Sequence, residues 1–260
     1  MDTTVAVADG ELWADDSGGD GLPLVLLHPS VGASTIWDPV LPALVARHRV
    51  IRYDCRGYGR SPAPTVPYSQ LGDLIAVLDH FRLERAVLVG NSTGGATSID
   101  LALTAPERVA GLALLVPAVS GHDLTGAELY QEVGRLAEAG DMEGIVRLGL
   151  SKWGLAGGGT PEADPVGAAH LRAVLPAWFA NIGHLQAEPP AFDRLGAITA
   201  PAVLALGELD RPVVVRFNEE TAARIPGCRL VRLAGTDHYP TLREPEAVTR
   251  LIEELYDSVS

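Results

Sequence analysis

The stretch Ala86-Val-Leu-Val-Gly90-Asn91-Ser92-Thr93-Gly94-Gly95 joins a short apolar run to a helical pattern. A Gly-x-Ser-x-Gly turn between a strand and a helix is typical of a sharp elbow that holds the serine hydroxyl above a sheet. Glycines are needed there because side chains would clash in so tight a turn. A helix that begins at Thr93 also directs free backbone N–H groups toward charge near the Ser92 oxygen. We predict that Ser92 is a nucleophile and that the Thr93 N–H stabilises an oxyanion.

A serine hydroxyl needs a base, and the base needs an orienting acid. Of seven histidines, His238 follows the last apolar run and precedes the final helical pattern. That loop is expected at the carboxyl edge of a parallel sheet, where such folds collect catalytic groups. Asp210 follows another apolar run, and Glu208 is its local rival for the role of the acid. The predicted chain order is Ser92, Asp210, His238.

The oxyanion site needs a second backbone donor, and the loop His28-Pro29-Ser30-Val31 is the candidate. Proline has no N–H, so Ser30 or Val31 must supply the donor, and we favour Ser30. His28 is interpreted as a brace for this loop rather than as a proton carrier.

Short apolar runs alternate with helical patterns along the chain, which is typical of βαβ units and a mostly parallel sheet. The predicted strands are residues 24–28, 50–54, 86–90, 111–116, 202–207 and 229–233, preceded by a hairpin of 5–7 and 11–13. The predicted helices are residues 37–47, 69–81, 95–104, 216–225 and 246–256. We predict an eight-stranded α/β fold.

One segment, residues 120–190, breaks this alternation, because it holds Gly, Pro and helical fragments but no clear strand. It is too long for an ordinary loop. We predict a core of residues 1–119 and 191–260 and a helical cap of residues 120–190, made mobile by the run of glycines at 157–159. Four residues are candidates for lining a substrate pocket, although packing of the cap onto the core is an equally good explanation for each: Trp153, Trp178, His122 and His184.

Composition limits the possible partners. The 260 residues are 47% apolar, which excludes a disordered chain, and the formal charge is 20 − 33 = −13. With no basic run, this charge argues against nucleic-acid and anionic-membrane partners and disfavours polyanionic substrates. One arginine, Arg147 or Arg172, is a candidate for holding a single carboxylate.

No metal-ligand spacing and no dinucleotide fingerprint is visible in the sequence, so we predict neither a metal nor a cofactor. Cys55 and Cys228 are too few for a disulfide framework, and the first 20 residues do not resemble a secretory signal. We expect a cytoplasmic protein of bacterial composition that acts on small molecules, with a homodimer as a possible assembly.

These motifs resemble the α/β-hydrolase fold family, and in particular its 3-oxoadipate enol-lactonase-like and esterase branch. The matching pieces are Leu27-His28, Gly32, Trp37-Asp38, the Gly90–Gly95 elbow, the loops of Asp210 and His238, and Tyr53-Asp54-Cys55-Arg56-Gly57-Tyr58-Gly59-Arg60-Ser61. The resemblance implies a catalytic Ser92, Asp210 and His238 and a structural role for the 53–61 segment. Relatives that are dehalogenases or epoxide hydrolases carry Asp where this chain has Ser92, which argues against those activities.

The function predicted from the sequence is therefore cofactor-independent hydrolysis of a small carboxylic ester or lactone through an acyl-enzyme. Two alternatives stay open. One is cleavage of a C–C bond, or another non-ester reaction, by the same three residues. The other is a small-ligand receptor built on a hydrolase scaffold.

Overall fold

A computed structural model describes residues 1–124 and 126–260. Its centre is an eight-stranded sheet with the strand order β1-β2-β4-β3-β5-β6-β7-β8. The strands are β1 Asp2–Val7, β2 Gly10–Asp16, β3 Leu24–Leu27, β4 Val50–Tyr53, β5 Ala86–Asn91, β6 Val109–Leu115, β7 Ala202–Gly207 and β8 Arg229–Leu233.

The first two strands form the predicted hairpin, which turns through Asp9 at a φ of 53° and pairs antiparallel. β2 also pairs antiparallel with β4, whereas every later pair is parallel. The predicted mostly parallel, eight-stranded α/β fold is confirmed. Because the strands from β3 onward run in one direction, their carboxyl ends meet at a single edge of the sheet.

Helices cover both faces of the sheet. The described α-helices are α1 Leu41–Val45, α2 Gln70–His80, α3 Thr93–Thr104, α4 Ala127–Glu138, α5 Met142–Trp153, α6 Pro165–Ala180, α7 Pro212–Arg224, α8 Pro240–Arg243 and α9 Pro245–Val259. Side chains alternate along the central strands, so that Leu88 packs into the core beneath α2 and α3, and Val87 and Val89 pack into the core beneath α9.

The helix predicted for residues 37–47 is divided in the structure. A 3₁₀ turn, Ser34–Trp37, is followed by the short helix α1. Pro42 has no N–H, so one continuous helix would lose the hydrogen bond to the Asp38 carbonyl, which the proline ring would also crowd.

Between β6 and β7 lie the helices α4, α5 and α6, within the segment predicted to be helical. The run of glycines at 157–159 forms a compact turn there. A Cβ added at Gly157 would lie 2.5 Å from the Asp164 carboxylate, so this position is closely packed. Among the described residues, no helix is long and apolar enough to span a membrane.

Candidate active site

In the elbow that carries Ser92, backbone atoms pack directly against other backbone atoms. Ser92 has φ 50° and ψ −112°, a left-handed conformation that costs a non-glycine residue free energy. A Cβ added at Gly90 would lie 2.5 Å from the Gly94 carbonyl oxygen, and one at Gly94 would collide with the Leu27 carbonyl. The turn therefore fixes the serine at the end of β5, directly before α3.

Three predicted residues meet at the carboxyl edge of the sheet. The His238 Nε2 lies 2.9 Å from Ser92 Oγ, and its Nδ1 lies 2.7 Å from Asp210 Oδ2. Ser92 and His238 are each 7% exposed, and Asp210 is 5% exposed. A carboxylate can only accept, so Nδ1–H donates to Asp210, and Nε2 is left free to accept the serine proton.

The carboxylate beside His238 belongs to Asp210 and not to Glu208. The other Asp210 oxygen, Oδ1, accepts the Arg211 backbone N–H at 2.7 Å, which holds the carboxylate in place. Glu208 is exposed, and its carboxylate lies 3.5 Å from Arg232. This geometry favours Asp210 for the role of the acid.

The loop after β3 is held from two sides. The His28 Nε2 accepts the Cys55 N–H at 2.9 Å, so Nδ1 carries the proton and donates to the Pro29 carbonyl at 2.8 Å. Burial lowers the pKa of His28, which favours this neutral form. On the other side, Trp178 Nε1 donates to the Ser30 carbonyl at 2.5 Å. His28 therefore takes part in loop structure, as interpreted from the sequence.

A cavity of about 360 Å³ opens above the serine, and an adjoining cavity of about 320 Å³ is mostly apolar. The first is lined by Ser30, Val31, Ser92, Thr93, Val116, Pro117, Ala118, His122, Asp123, Leu124, Tyr130, Trp153, Arg211, Val214 and His238. The second is lined by Ser30, Tyr58, Leu129, Tyr130, Val133, Trp153, Trp178, Phe179, Asn181, Ile182 and Leu185. Both predicted oxyanion residues, Ser30 and Thr93, thus border the cavity that holds Ser92.

The four pocket candidates from the sequence are placed differently. Trp153 lines both cavities, His122 lines the first and Trp178 lines the second. His184 lines neither, and its backbone carbonyl accepts the Tyr68 N–H at 2.9 Å.

Both arginines suggested for a substrate carboxylate lie away from the cavities, which corrects that expectation. Arg147 pairs with Glu162, and Arg172 pairs with Glu143, in exposed ion pairs. Opposite charges on neighbouring surface segments pair readily, and a single sequence does not reveal such partners. The arginine that reaches the cavity is Arg211, next to Asp210. Its position directly after the predicted acid, Asp210, is the sequence signal from which this placement could have been predicted.

The loop of His238 is tied to the helical insertion. The His238 N–H donates to the Trp153 carbonyl at 3.3 Å, and the Ala156 N–H donates to Asp237 Oδ2 at 2.9 Å. Arg243 donates to both Asp237 and Asp164, the residue that caps α6. The insertion and the histidine loop therefore share one polar network.

Comparison with known proteins gives two relatives that align along most of this chain and a third that aligns along less than half of it. A candidate carbamate hydrolase, RutD, of Variovorax paradoxus is 32% identical over 262 residues, which cover 93% of this chain and 94% of the relative. The 2-hydroxy-6-oxononadienedioate/2-hydroxy-6-oxononatrienedioate hydrolase of Cupriavidus pinatubonensis is 26% identical, covering 95% of this chain and 92% of that protein. A third match, the dihydrolipoyllysine-residue acetyltransferase component of the acetoin cleaving system of Pseudomonas putida, is 40% identical over only 121 residues, 45% of this chain and 32% of that protein.

Solved structures give the same result. The enol-lactonase of Burkholderia xenovorans superposes with a TM-score of 0.80 at 25% identity, over 98% of this chain and 100% of its own. Est816, described as an N-acyl homoserine lactone degrading enzyme, superposes with a TM-score of 0.77 at 28% identity, over 97% and 99%. The model of the alpha/beta hydrolase family matches residues 24–251. The resemblance drawn from the motifs is confirmed, and the chain is an enzyme that belongs to the alpha/beta hydrolase family.

Proposed function

We propose that this enzyme hydrolyses a small carboxylic ester or lactone, with Ser92 as the nucleophile, His238 as the general base and Asp210 as its orienting acid. The observation that carries the proposal is the chain of two hydrogen bonds, 2.7 and 2.9 Å long, from Asp210 through His238 to Ser92. Lactone hydrolysis is also supported by the two solved structures whose names describe that activity.

In the proposed reaction, His238 Nε2 takes the Ser92 proton as Oγ attacks the substrate carbonyl. The carbonyl oxygen becomes an oxyanion, for which the backbone N–H groups of Ser30 and Thr93 are the proposed donors. The protonated imidazole then gives its proton to the departing alkoxide, which leaves an acyl group on Ser92. A water molecule, deprotonated by the same imidazole, releases the acid.

Asp210 keeps the imidazole in the tautomer that this sequence of proton transfers requires. Its carboxylate accepts the Nδ1–H and stabilises the imidazolium as it forms. Because Asp210 is only 5% exposed, water competes weakly for that carboxylate.

We also propose that residues 120–190 act as a cap that sets substrate choice. Helices α4 and α6 both line the apolar cavity, with Leu129, Val133, Trp178 and Phe179 among their contributions. It adjoins the cavity of Ser92 at Ser30, Tyr130 and Trp153. An ester or lactone with an apolar group of a few carbon atoms would place that group there.

A labelling and turnover experiment tests the proposal. The purified enzyme is treated with a fluorophosphonate and examined by intact-mass and peptide mass spectrometry, and its hydrolysis of p-nitrophenyl butyrate and of a butyryl homoserine lactone is measured. We expect one adduct, on Ser92, and turnover that is lost in Ser92→Ala. An adduct elsewhere, or labelling without turnover of any ester or lactone, would contradict the proposal, and the second result would favour the receptor alternative.

Cleavage of a C–C bond by the same residues is the second candidate, because one relative is named as the hydrolase of a 2-hydroxy-6-oxo diacid. The substrate in that name carries ketone and acid groups and no ester. Turnover of such a vinylogous diketone at a higher kcat/KM than any ester would favour this candidate.

A further inference from the structure

We infer that Arg211 forms a recognition site for one carboxylate on the substrate, inside the cavity of Ser92. The inference deepens the proposed function, on which it rests. It assigns a substrate class: esters or lactones that carry a single free carboxylate a few bonds from the scissile carbonyl.

The first observation is where Arg211 lies. It is the N-cap residue of α7, follows Asp210 directly and lines the same cavity as Ser92 and His238. Because Asp210 itself contacts His238, Arg211 lies at the strand end that holds the acid. A group bound there stays within the same cavity of about 360 Å³ as the serine.

The second observation is which N–H groups of Arg211 make hydrogen bonds within the protein. Nη1 donates to the Leu124 carbonyl at 3.1 Å, which orients the guanidinium. Among the described residues, the buried Nε has no hydrogen-bond partner, and Arg211 takes part in no ion pair. A buried N–H without an acceptor costs free energy, which a bound acceptor recovers.

Other arginines of this chain show what the edge formed by Nε and Nη2 binds. Arg56 holds Asp73 through Nε and Nη2 at 2.9 and 2.7 Å, and Arg172 holds Glu143 through the same two nitrogens at 2.6 and 2.7 Å. In Arg211 no described residue occupies this edge. A planar carboxylate matches the edge with two parallel hydrogen bonds.

The surroundings favour one negative charge over several. Asp123 lines the same cavity, and the chain as a whole carries a formal charge of −13. Both repel a dianionic phosphate or a polycarboxylate, whereas one carboxylate is offset by one guanidinium. The apolar second cavity adjoins the first and leaves room for an uncharged remainder of the substrate.

Matched substrates test the inference. We would measure kcat/KM in a pH-stat for the monoethyl esters of glutarate, adipate and pimelate, and for the same esters with an amide in place of the free carboxylate. The wild-type enzyme is expected to prefer the carboxylate over the isosteric amide by at least tenfold at one chain length. In Arg211→Gln this ratio should fall to near one, mainly through KM.

The matched control is Arg147→Gln, which removes the same charge from an exposed ion pair and should keep the ratio. Arg211→Lys should keep part of it. If Arg211→Gln lowers both ester series equally, or the wild type shows no preference for the carboxylate, the inference is wrong while the proposed function stands.

Binding separates this result from a failure of the proposed function. Calorimetric titration of the Ser92→Ala enzyme with the monoethyl esters requires no turnover. Carboxylate-selective binding that Arg211→Gln abolishes supports the site even if no ester is hydrolysed. Equal binding of the acid and the amide contradicts it.

Discussion

Arg243 donates to Asp164 Oδ2 at 2.5 Å, and this bond joins the N-cap of α6 in the helical insertion to α8, which follows the His238 loop. The same guanidinium binds Asp237, which is fully buried and directly precedes His238. Buried carboxylates without a partner are strongly unfavourable. The ion pair is therefore a structural link between the insertion and the position of the proposed base.

Arg243→Met should destabilise the protein by about 3–5 kcal/mol, because it leaves two buried carboxylates unpaired. The control is Arg172→Met, which breaks an exposed pair and should cost about 0–1 kcal/mol. Urea unfolding measures both, and kcat of the folded Arg243→Met enzyme should also fall as the His238 loop loosens. Equal losses of unfolding free energy in the two variants would mean that the buried network of Arg243 stabilises the protein no more than the exposed pair does.

Replacing the strained serine should separate stability from activity. Ser92 has a φ of 50°, a conformation that costs a non-glycine residue about 1–3 kcal/mol. Glycine avoids this cost, although its flexibility in the unfolded chain costs about 0.5–1 kcal/mol. We therefore expect Ser92→Gly to be at least as stable as Ser92→Ala in thermal unfolding, with both inactive. A markedly less stable glycine variant would show that the turn is not strained.

The two acidic residues of the β7 loop should differ in their effect on turnover. Asp210→Asn is expected to lower kcat by about 10⁴-fold, because an amide supports the wrong imidazole tautomer. Glu208→Gln should change kcat less than threefold, since that carboxylate faces Arg232. Steady-state kinetics with one ester decides the ranking, and the reverse order would assign the acid role to Glu208.

Trp178 should control both chain-length preference and the oxyanion loop. Its ring lines the apolar cavity, and its Nε1 holds the Ser30 carbonyl. Trp178→Ala should shift the optimum of a p-nitrophenyl ester series toward longer chains, because the cavity grows. Trp178→Phe keeps much of the ring but loses the hydrogen bond, so kcat should fall with little shift of the optimum. A uniform loss for all chain lengths in both variants would indicate packing alone.

Asp100 should make stability depend on pH. Burial raises its pKa from 3.8 to about 6, while Ser120 donates to its carboxylate at 2.6 Å. Between pH 3.8 and about pH 6, Asp100 keeps its proton in the folded chain but releases it in the unfolded chain. The free energy of unfolding therefore falls as the pH rises through this range. Relative to Asp100→Asn, the wild type should lose unfolding free energy from pH 4 to pH 7. The exposed Asp20→Asn variant should track the wild type, and parallel profiles for all three would contradict the assignment.

Much of the fold could be predicted from the sequence because burial and periodicity coincide in its strands. The runs at 202–207 and 229–233 are strands at those same bounds. The elbow and the loops of Asp210 and His238 could be located because each follows a strand whose carboxyl end lies at one edge. These signals are local in sequence.

The walls of the cavities could not be predicted, because they depend on how helices far apart in sequence pack together. Tyr130 and Arg211 enter the cavity of Ser92 from α4 and from the start of α7. His184, chosen for its residue type, lies outside both cavities. Nothing in periodicity or spacing distinguishes a histidine that faces a cavity from one a few ångströms beside it.

Helix α9 has a further consequence for how the chain folds. Leu255 of α9 packs on Gly111 of β6, within van der Waals distance of a Cβ placed there. β6 ends at Leu115, whereas α9 begins only at Pro245. A growing polypeptide therefore carries an uncovered apolar central strand until α9 has been made, and this long-range closure slows folding. Chaperone demand during translation should consequently depend on the helix that is made long after the strand it covers.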